Sequence, residues 1–178
     1  MLLSLAPHPE TPSRALLGLD ANVHRTTDAN LQIRFKLHGD LSALKLPEVT
    51  QASRADELWK HTCFEAFVRL PHAEGYLEFN VSPSAQWAAY AFDSYRAGVR
   101  NAEIASPNIH FDRERGELLI QIKIPILADA PIWQLGLSAV IEEQNGAKSY
   151  WALSHAPGKP DFHHPDCFAA EISAAKEP

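Results

Sequence analysis

The sequence predicts an all-β fold, an antiparallel β-sandwich of the jelly-roll or immunoglobulin-like kind, with long loops and little helix. Apolar and polar residues alternate in many short segments, which is typical of strands that bury one face. Gly, Pro and Asn-Gly turn signals separate these segments, and no helical period is sustained. We therefore expect one domain over residues 1–178, in which the proline-rich residues 1–20 form an N-terminal arm or an edge strand.

The alternation also places the individual strands. Residues 86–95 fit a strand better than a helix despite their alanines, residues 96–108 and 155–165 are expected to be loops, and the tail from 174 to 178 is expected to fray. Asn145-Gly146 predicts a tight hairpin with a type I′ turn. The other predicted strands cover residues 31–38, 62–70, 76–82, 118–124, 135–143, 148–153 and 168–173.

The composition argues against several classes of partner. The chain carries 16 basic and 22 acidic residues, for a formal net charge of −6, so we expect neither nucleic acid nor an anionic membrane as a partner. No run is long and apolar enough to span a bilayer, and residues 1–12 lack the basic flank of a secretory signal. We therefore expect a cytoplasmic protein, in which Cys63 and Cys167 remain free thiols.

The predicted hairpin of residues 62–82 gathers polar side chains on one face. If Phe64 and Phe79 share the core, then Glu65, Glu78 and Asn80 share the opposite face. Carboxylates and an amide suit the hydroxyl groups of a sugar, and Trp59 and Trp151 offer flat rings on which a sugar can stack. The alternative is a solvated sheet face with ordinary charges.

The residue types permit two further functions. A pair of carboxylates permits a glycoside hydrolase, but nothing in the sequence indicates a perturbed pKa, so we expect no catalytic residues. The loop from His155 to Cys167 contains residue types that bind transition metals. Its spacing matches no metal motif, and we expect a loop held by hydrogen bonds and no metal. Arg96 is expected to pair with a carboxylate such as Glu65 or Glu142.

Several segments resemble one known family. The strings ELWKHTCFEAF at 57–67, YLEFNVSP at 76–83 and QW at 86–87 look like the central hairpin of DOMON-like proteins, which are grouped with carbohydrate-binding module family 9. The strings YWAL at 150–153, KPDFH at 159–163 and CF at 167–168 are similar to the same group. The resemblance extends over most of the chain from residue 31 onward and implies a jelly-roll β-sandwich.

The resemblance also implies a ligand and the residues that bind it. In the sugar-binding members, two tryptophans sandwich a sugar at the end of a glycan while polar side chains on adjacent strands bind its hydroxyls. Other members bind haem through methionine and histidine, and Met1 is the only methionine here. Carried onto this sequence, the resemblance implies two platforms, Trp59 and Trp151, and four polar contacts, Glu65, Glu78, Asn80 and Glu142.

From these observations we predict a non-catalytic domain that binds a small molecule, a carbohydrate or related polyol, on one sheet face and needs no cofactor. The alternatives are a domain that binds haem or another redox cofactor, and a protein-interaction scaffold without a small-molecule ligand. A carboxylate-based hydrolase is the least favoured. The sequence leaves the identity of the ligand and the oligomeric state open.

Overall fold

The computed structural model describes residues 1–174 and consists almost entirely of strands and loops, which confirms the all-β prediction. The helical segments in this range are single 3-10 turns, and none is long and apolar enough to cross a membrane. The strands are β1 (Leu2–Pro7), β2 (Leu16–Arg25), β3 (Asn30–Gly39), β4 (Ser53–Arg54), β5 (Cys63–Arg69), β6 (Tyr76–Val81), β7 (Gln86–Phe92), β8 (Arg100–Asn101), β9 (Asn108–Asp112), β10 (Glu117–Lys123), β11 (Ile132–Glu142), β12 (Lys148–Ala152) and β13 (Ala170–Ser173).

The strands form one sheet that curls so that its two halves face each other. The order is β4-β7-β6-β5-β11-β12-β1-β2-β3-β10-β9, with β8 added on β7 and β13 added on β11. All pairs are antiparallel except β4 with β7. Strand β1 joins the two halves, because Ala6 and Pro7 pair with β12 while Leu2 to Leu5 pair with β2.

The core lies between the two halves of the sheet. Alternation along each strand turns its apolar residues inward, and the rings of Phe35 on β3 and Phe64 on β5 meet across the core with centroids 5.0 Å apart. Side chains of this size each gain about 1.5–3 kcal/mol from burial. The buried residues that follow the predicted alternation include Leu31, Ile33, Phe35, Leu37, Phe64, Ala66, Val68, Leu118, Ile120 and Ile122.

Some local predictions differ from the structure. Residues 1–20 do not form an arm or an edge, because β1 lies inside the sheet between β12 and β2. The hairpin at Asn145-Gly146 is not a type I′ turn, since Gly146 has a φ of 85° and Asn145 is not in the left-handed region. The loop is one residue longer, and the amide of Glu143 donates to the carbonyl of Ala147. Residues 175–178, part of the tail expected to fray, lie outside the described residues.

The outer face of β5 is not solvated, because the loop between β12 and β13 covers it. Phe168 from this loop packs against Phe67 and Tyr76, with ring centroids 6.2 and 5.7 Å apart. Gly136 on β11 allows this approach. A Cβ atom at Gly136 would lie 2.9 Å from the carbonyl oxygen of Cys167, closer than van der Waals contact allows. The missing side chain therefore lets the loop lie directly on the sheet.

We expect Gly136→Ala to destabilise the protein by about 1–3 kcal/mol, because the loop must move away from the sheet to accommodate the methyl group. The free energy of unfolding in urea measures this. Gly18→Ala is the matched control, since a Cβ at this strand glycine would meet its nearest atom, on His38, at an ordinary 3.6 Å. Equal stability of the two variants would contradict the packing described here.

Candidate functional site

The polar groups of the central hairpin share one face, as the alternation predicts. Glu65 on β5 lies opposite Asn80 on β6, and Glu78 lies opposite Phe67. Because Phe64 and Phe79 point into the core, these polar side chains point away from it. They are nevertheless shielded from water, with 3% of Glu65, 6% of Glu78 and 1% of Asn80 exposed. The alternative of a solvated sheet face is therefore wrong.

We call the face formed by Glu65, Glu78 and Asn80 the polar floor. Hydrogen bonds within the chain satisfy only some of its donors and acceptors. Asn80 Nδ2 donates to Glu78 Oε1 at 2.7 Å, and Ser138 Oγ on β11 donates to Glu65 Oε2 at 3.2 Å. Asn80 Oδ1 is buried without a hydrogen-bond partner among the described residues. A buried acceptor of this kind is costly to leave unpaired, so the floor retains unused capacity for a donor.

Burial changes the protonation of both carboxyl groups. Removal from water, together with the negative charge of Glu78, raises the pKa of Glu65 to about 8, despite the hydrogen bond from Ser138. Burial also raises the pKa of Glu78, although the hydrogen bond from Asn80 and the charge of Arg96 oppose this. At neutral pH Glu65 is therefore protonated and can donate a hydrogen bond, which gives the floor a donor beside its acceptors.

A cleft of about 600 Å³ opens above this floor, within the usual range for small-molecule sites. Trp59 stands at the mouth with 51% of its surface exposed, on a 3-10 turn that follows Glu57, a residue with a left-handed φ of 61°. Tyr90 is fixed by donating to Asp56 Oδ1 at 2.7 Å. The aromatic residues lining the cleft are Trp59, Tyr90, Phe92, Tyr150 and Phe162.

A histidine from the covering loop closes one side of the cleft. His163 Nδ1 lies 2.8 Å from the hydroxyl of Tyr76, and its Nε2 lies 3.8 Å from Glu78 Oε2. Burial, with the positive charge of Arg96, lowers the pKa of His163 to about 4, so the ring is neutral at physiological pH. The neutral ring contributes polarity to the cleft without contributing charge.

One ion pair joins the two loops that border the cleft. Arg96, in the segment between β7 and β8, donates to Asp161 Oδ1 in the covering loop at 2.7 Å. Tyr95 donates to the other oxygen of the same carboxylate. Arg96 therefore pairs with a carboxylate, but this carboxylate belongs to Asp161 and to neither of the expected examples, Glu65 and Glu142. The expectation that hydrogen bonds hold the loop of residues 155–167 fits these contacts, together with His155 Nε2, 2.9 Å from the carbonyl oxygen of Ala6.

Two of the residues expected to contact a ligand lie elsewhere. Trp151 faces the core, opposite Ala139, with 2% of its surface exposed, and its indole donates to Ser149 Oγ at 2.9 Å. Its ring is therefore not open to stacking. Glu142 shares the sheet face but borders a neighbouring pocket, where it lies 3.0 Å from Lys45 and 2.7 Å from His61. The cleft thus brings together Trp59, Glu65 and Glu78, with Asn80 supporting its floor.

Several cleft residues were not predicted from the sequence as ligand contacts, and Tyr150, Tyr90, Arg96 and His163 are among them. Tyr150 lies on the face opposite to its neighbour Trp151, and only the register of β12 on β11 decides which of the two rings faces the cleft. Tyr90 lies opposite Glu78. Period-two alternation along β7, together with the antiparallel pairing of β6 and β7, would have placed Tyr90 on the same face as Glu78. Arg96 and His163 reach the cleft from loops, and no sequence period locates loop residues.

Comparison with known proteins supports the fold but gives no family. No protein-family model matches the chain, and no curated protein matches it. A crystal structure from Bacteroides uniformis ATCC 8492, of a protein described provisionally as carbohydrate-binding, is similar in fold with a TM-score of 0.67. The similarity covers 98% of this chain and 86% of that one at 15% sequence identity. At this identity the likeness shows a shared all-β architecture, while the ligand depends on the side chains of each site.

The raised pKa of Glu65 makes stability depend on pH in a predictable direction. Folded Glu65 titrates near 8, against an ordinary value of 4.5, so between these values the folded state holds one proton more than the unfolded state. The free energy of unfolding should therefore fall as pH rises through this window, by at most about 1.4 kcal/mol per pH unit from this group.

Glu65→Gln should remove this dependence, as measured by urea denaturation at pH 5, 6, 7 and 8. Glu142→Gln is the control: burial alone would raise the pKa of Glu142, but His61 and Lys45 lower it, so Glu142 contributes no loss of stability in the same window. Parallel profiles for wild type and Glu65→Gln would show that Glu65 is not held in its protonated form.

Proposed function

We propose that this protein is a non-catalytic binding domain that takes a carbohydrate or related polyol into the cleft above Glu65, Glu78 and Asn80. The observation that carries the proposal is the combination in one cleft of a buried polar floor and an exposed aromatic ring, that of Trp59. A sugar has an apolar C–H face and a rim of hydroxyl groups, so it needs both kinds of contact at once.

The floor offers what vicinal hydroxyl groups require. Protonated Glu65 provides a donor, the carboxylate of Glu78 provides acceptors, and the neutral ring of His163 adds a further polar group. Tyr90 and Tyr150 add hydroxyl groups on the walls. Because most of these side chains are already fixed by packing or by hydrogen bonds, binding would cost little conformational entropy.

A binding role fits the arrangement of the carboxyl groups better than hydrolysis does. Glycoside hydrolases place two carboxyl groups on either side of the bond that is cleaved. Glu65 and Glu78 instead rise from adjacent strands of the same floor, so both would meet a bound sugar from below. The fold similarity to a protein described provisionally as carbohydrate-binding is consistent with this role.

Replacing Trp59 with alanine should weaken sugar binding about tenfold or more, because the exposed stacking surface is lost. Isothermal titration calorimetry with a panel of mono- and oligosaccharides measures this for both proteins, and tryptophan fluorescence follows binding to the wild type, because the variant lacks the reporting ring. The other tryptophans, Trp87, Trp133 and Trp151, are buried in the core, so a change on ligand addition reports mainly on Trp59.

Ile126→Ala serves as the matched control, since Ile126 is an exposed apolar residue outside the cleft and its removal should leave binding unchanged. If no sugar in the panel alters the emission or the heat of mixing at millimolar concentration, the proposal is wrong. Equal affinity of wild type and Trp59→Ala would remove Trp59 from the site.

A further inference from the structure

The buried carboxyl groups of this protein fall into two kinds. Within residues 1–174 four glutamates are buried, and two of them are fully compensated by the chain. Glu142 has Lys45 and His61 within 3.0 Å. Glu143 accepts hydrogen bonds from the side chain of Ser13 and the backbone amides that follow it. This is the usual condition for a buried charge.

Glu65 and Glu78 lack such compensation. Their direct hydrogen-bond partners are one hydroxyl group, from Ser138, and one amide group, from Asn80. Within the described chain, no cationic nitrogen lies within hydrogen-bonding distance of either. Arg96 influences both electrostatically, but its guanidinium group is bound to Asp161. The two carboxyl groups therefore cannot both be ionised without repelling each other across the floor of a cleft that is open to ligands, and Glu65 keeps its proton.

The rest of the cleft also favours a positively charged ligand. Asp56 and Glu57 stand at its mouth, and Glu57 is paired with Lys60 at 2.7 Å. The lining in residues 1–174 therefore contains four acidic side chains, with Glu65 in its protonated form, against the single guanidinium group of Arg96. The neutral ring of His163 does not offset them. The aromatic walls add to this preference, because the faces of Trp and Tyr rings attract cations.

We propose that the ligand carries a protonated amine, as an amino sugar does, and that its ammonium group binds between Glu65 and Glu78 while the ring stacks on Trp59. This inference rests on the proposed function and narrows its ligand class. An ammonium group supplies a positive charge and hydrogen-bond donors. Lys45 and His61 supply both to Glu142, whereas no residue supplies both to Glu65 or Glu78 within the described chain. A neutral sugar supplies only hydroxyl donors.

Seating a cation on the floor should also release a proton. When the ammonium group binds, Glu65 loses its carboxyl proton to the buffer and the resulting carboxylate pairs with the ligand, so charge is conserved. Glu78 on β6, Ser138 on β11 and Arg96 act directly on the protonation of Glu65, and Asn80 acts on that of Glu78. The charges of this pair in turn affect Cys63 on β5, Tyr76 on β6 and Tyr90 on β7. The remaining titratable neighbours are loop residues: Asp56 contacts Tyr90, Asp161 contacts Arg96, and His163 contacts Tyr76.

Isothermal titration calorimetry at pH 6 with matched sugar sets tests the proposal. Each set contains an amino sugar, its hydroxyl parent and its N-acetyl derivative, in the gluco, galacto and manno configurations. In at least one set the amino sugar should bind about tenfold or more tightly than both neutral partners. Repeating the titration in buffers of different ionisation enthalpy should reveal a released proton.

Glu65→Gln and Glu78→Gln should each reduce the preference for the amine, and Glu65→Gln should abolish proton release. Glu142→Gln, which removes a buried carboxylate from the neighbouring pocket, should leave both unchanged. Circular dichroism and thermal unfolding establish that each variant is folded. If a variant does not fold, the number of protons that the wild-type protein releases on binding still tests the amine proposal.

The outcomes separate this inference from the proposed function. Equal or tighter binding of a neutral sugar overturns the proposal that the ligand carries an amine, and it leaves the carbohydrate proposal standing. Cyclohexylamine has the charge without the hydroxyl groups. If it binds as tightly as the amino sugar, the cation site is supported and the proposal of a carbohydrate ligand is overturned. If the sugars and cyclohexylamine all fail to bind, both proposals are wrong.

Discussion

The carboxyl groups of Glu65 and Glu78 lie on the outer face of the sheet and yet are shielded from water, and the properties of the site follow from that burial. Transfer of a carboxylate out of water costs free energy unless a partner compensates it, and here the compensation is incomplete. The raised pKa of Glu65 and the excess acidity of the cleft are two consequences. Incompletely compensated groups of this kind are concentrated at functional sites.

The burial itself depends on a loop that the fold could have placed elsewhere. The segment between β12 and β13 folds back over β5 and β6, and it can lie flat because Gly136 has no side chain in its way. Asp161 then ties this loop to Arg96 in the segment between β7 and β8. Gly136 on β11 and the ion pair between Arg96 and Asp161 therefore shape the cleft above the polar floor.

Period-two alternation was enough to predict β3, β5, β6, β7, β10, β11, β12 and β13 and the shared face of Glu65, Glu78 and Asn80, because both are local consequences of strand geometry. It missed β2, and β8 lies in the segment of residues 96–108 that was expected to be a loop. It was not enough to predict that this face is covered, which depends on contacts distant in sequence. The presence of Phe67 on the same face as Glu65 was an available signal, since a large aromatic residue on an outer face indicates a covering element. The structure places Trp151 in the core for a related reason: the neighbouring residues 150 and 151 point to opposite faces, and only strand register decides which ring, that of Tyr150 or of Trp151, faces the cleft.

The direct test of the central claim is a carbon-13 NMR titration of the side-chain carboxyl group of Glu65, assigned by comparison with Glu65→Gln. If the floor of the cleft holds this group away from water and beside the charge of Glu78, its midpoint will lie near pH 8. A midpoint near the ordinary glutamate value of 4.5 would show that the group is solvated or already paired. In that case the structural basis for ligand recognition at this floor would be lost.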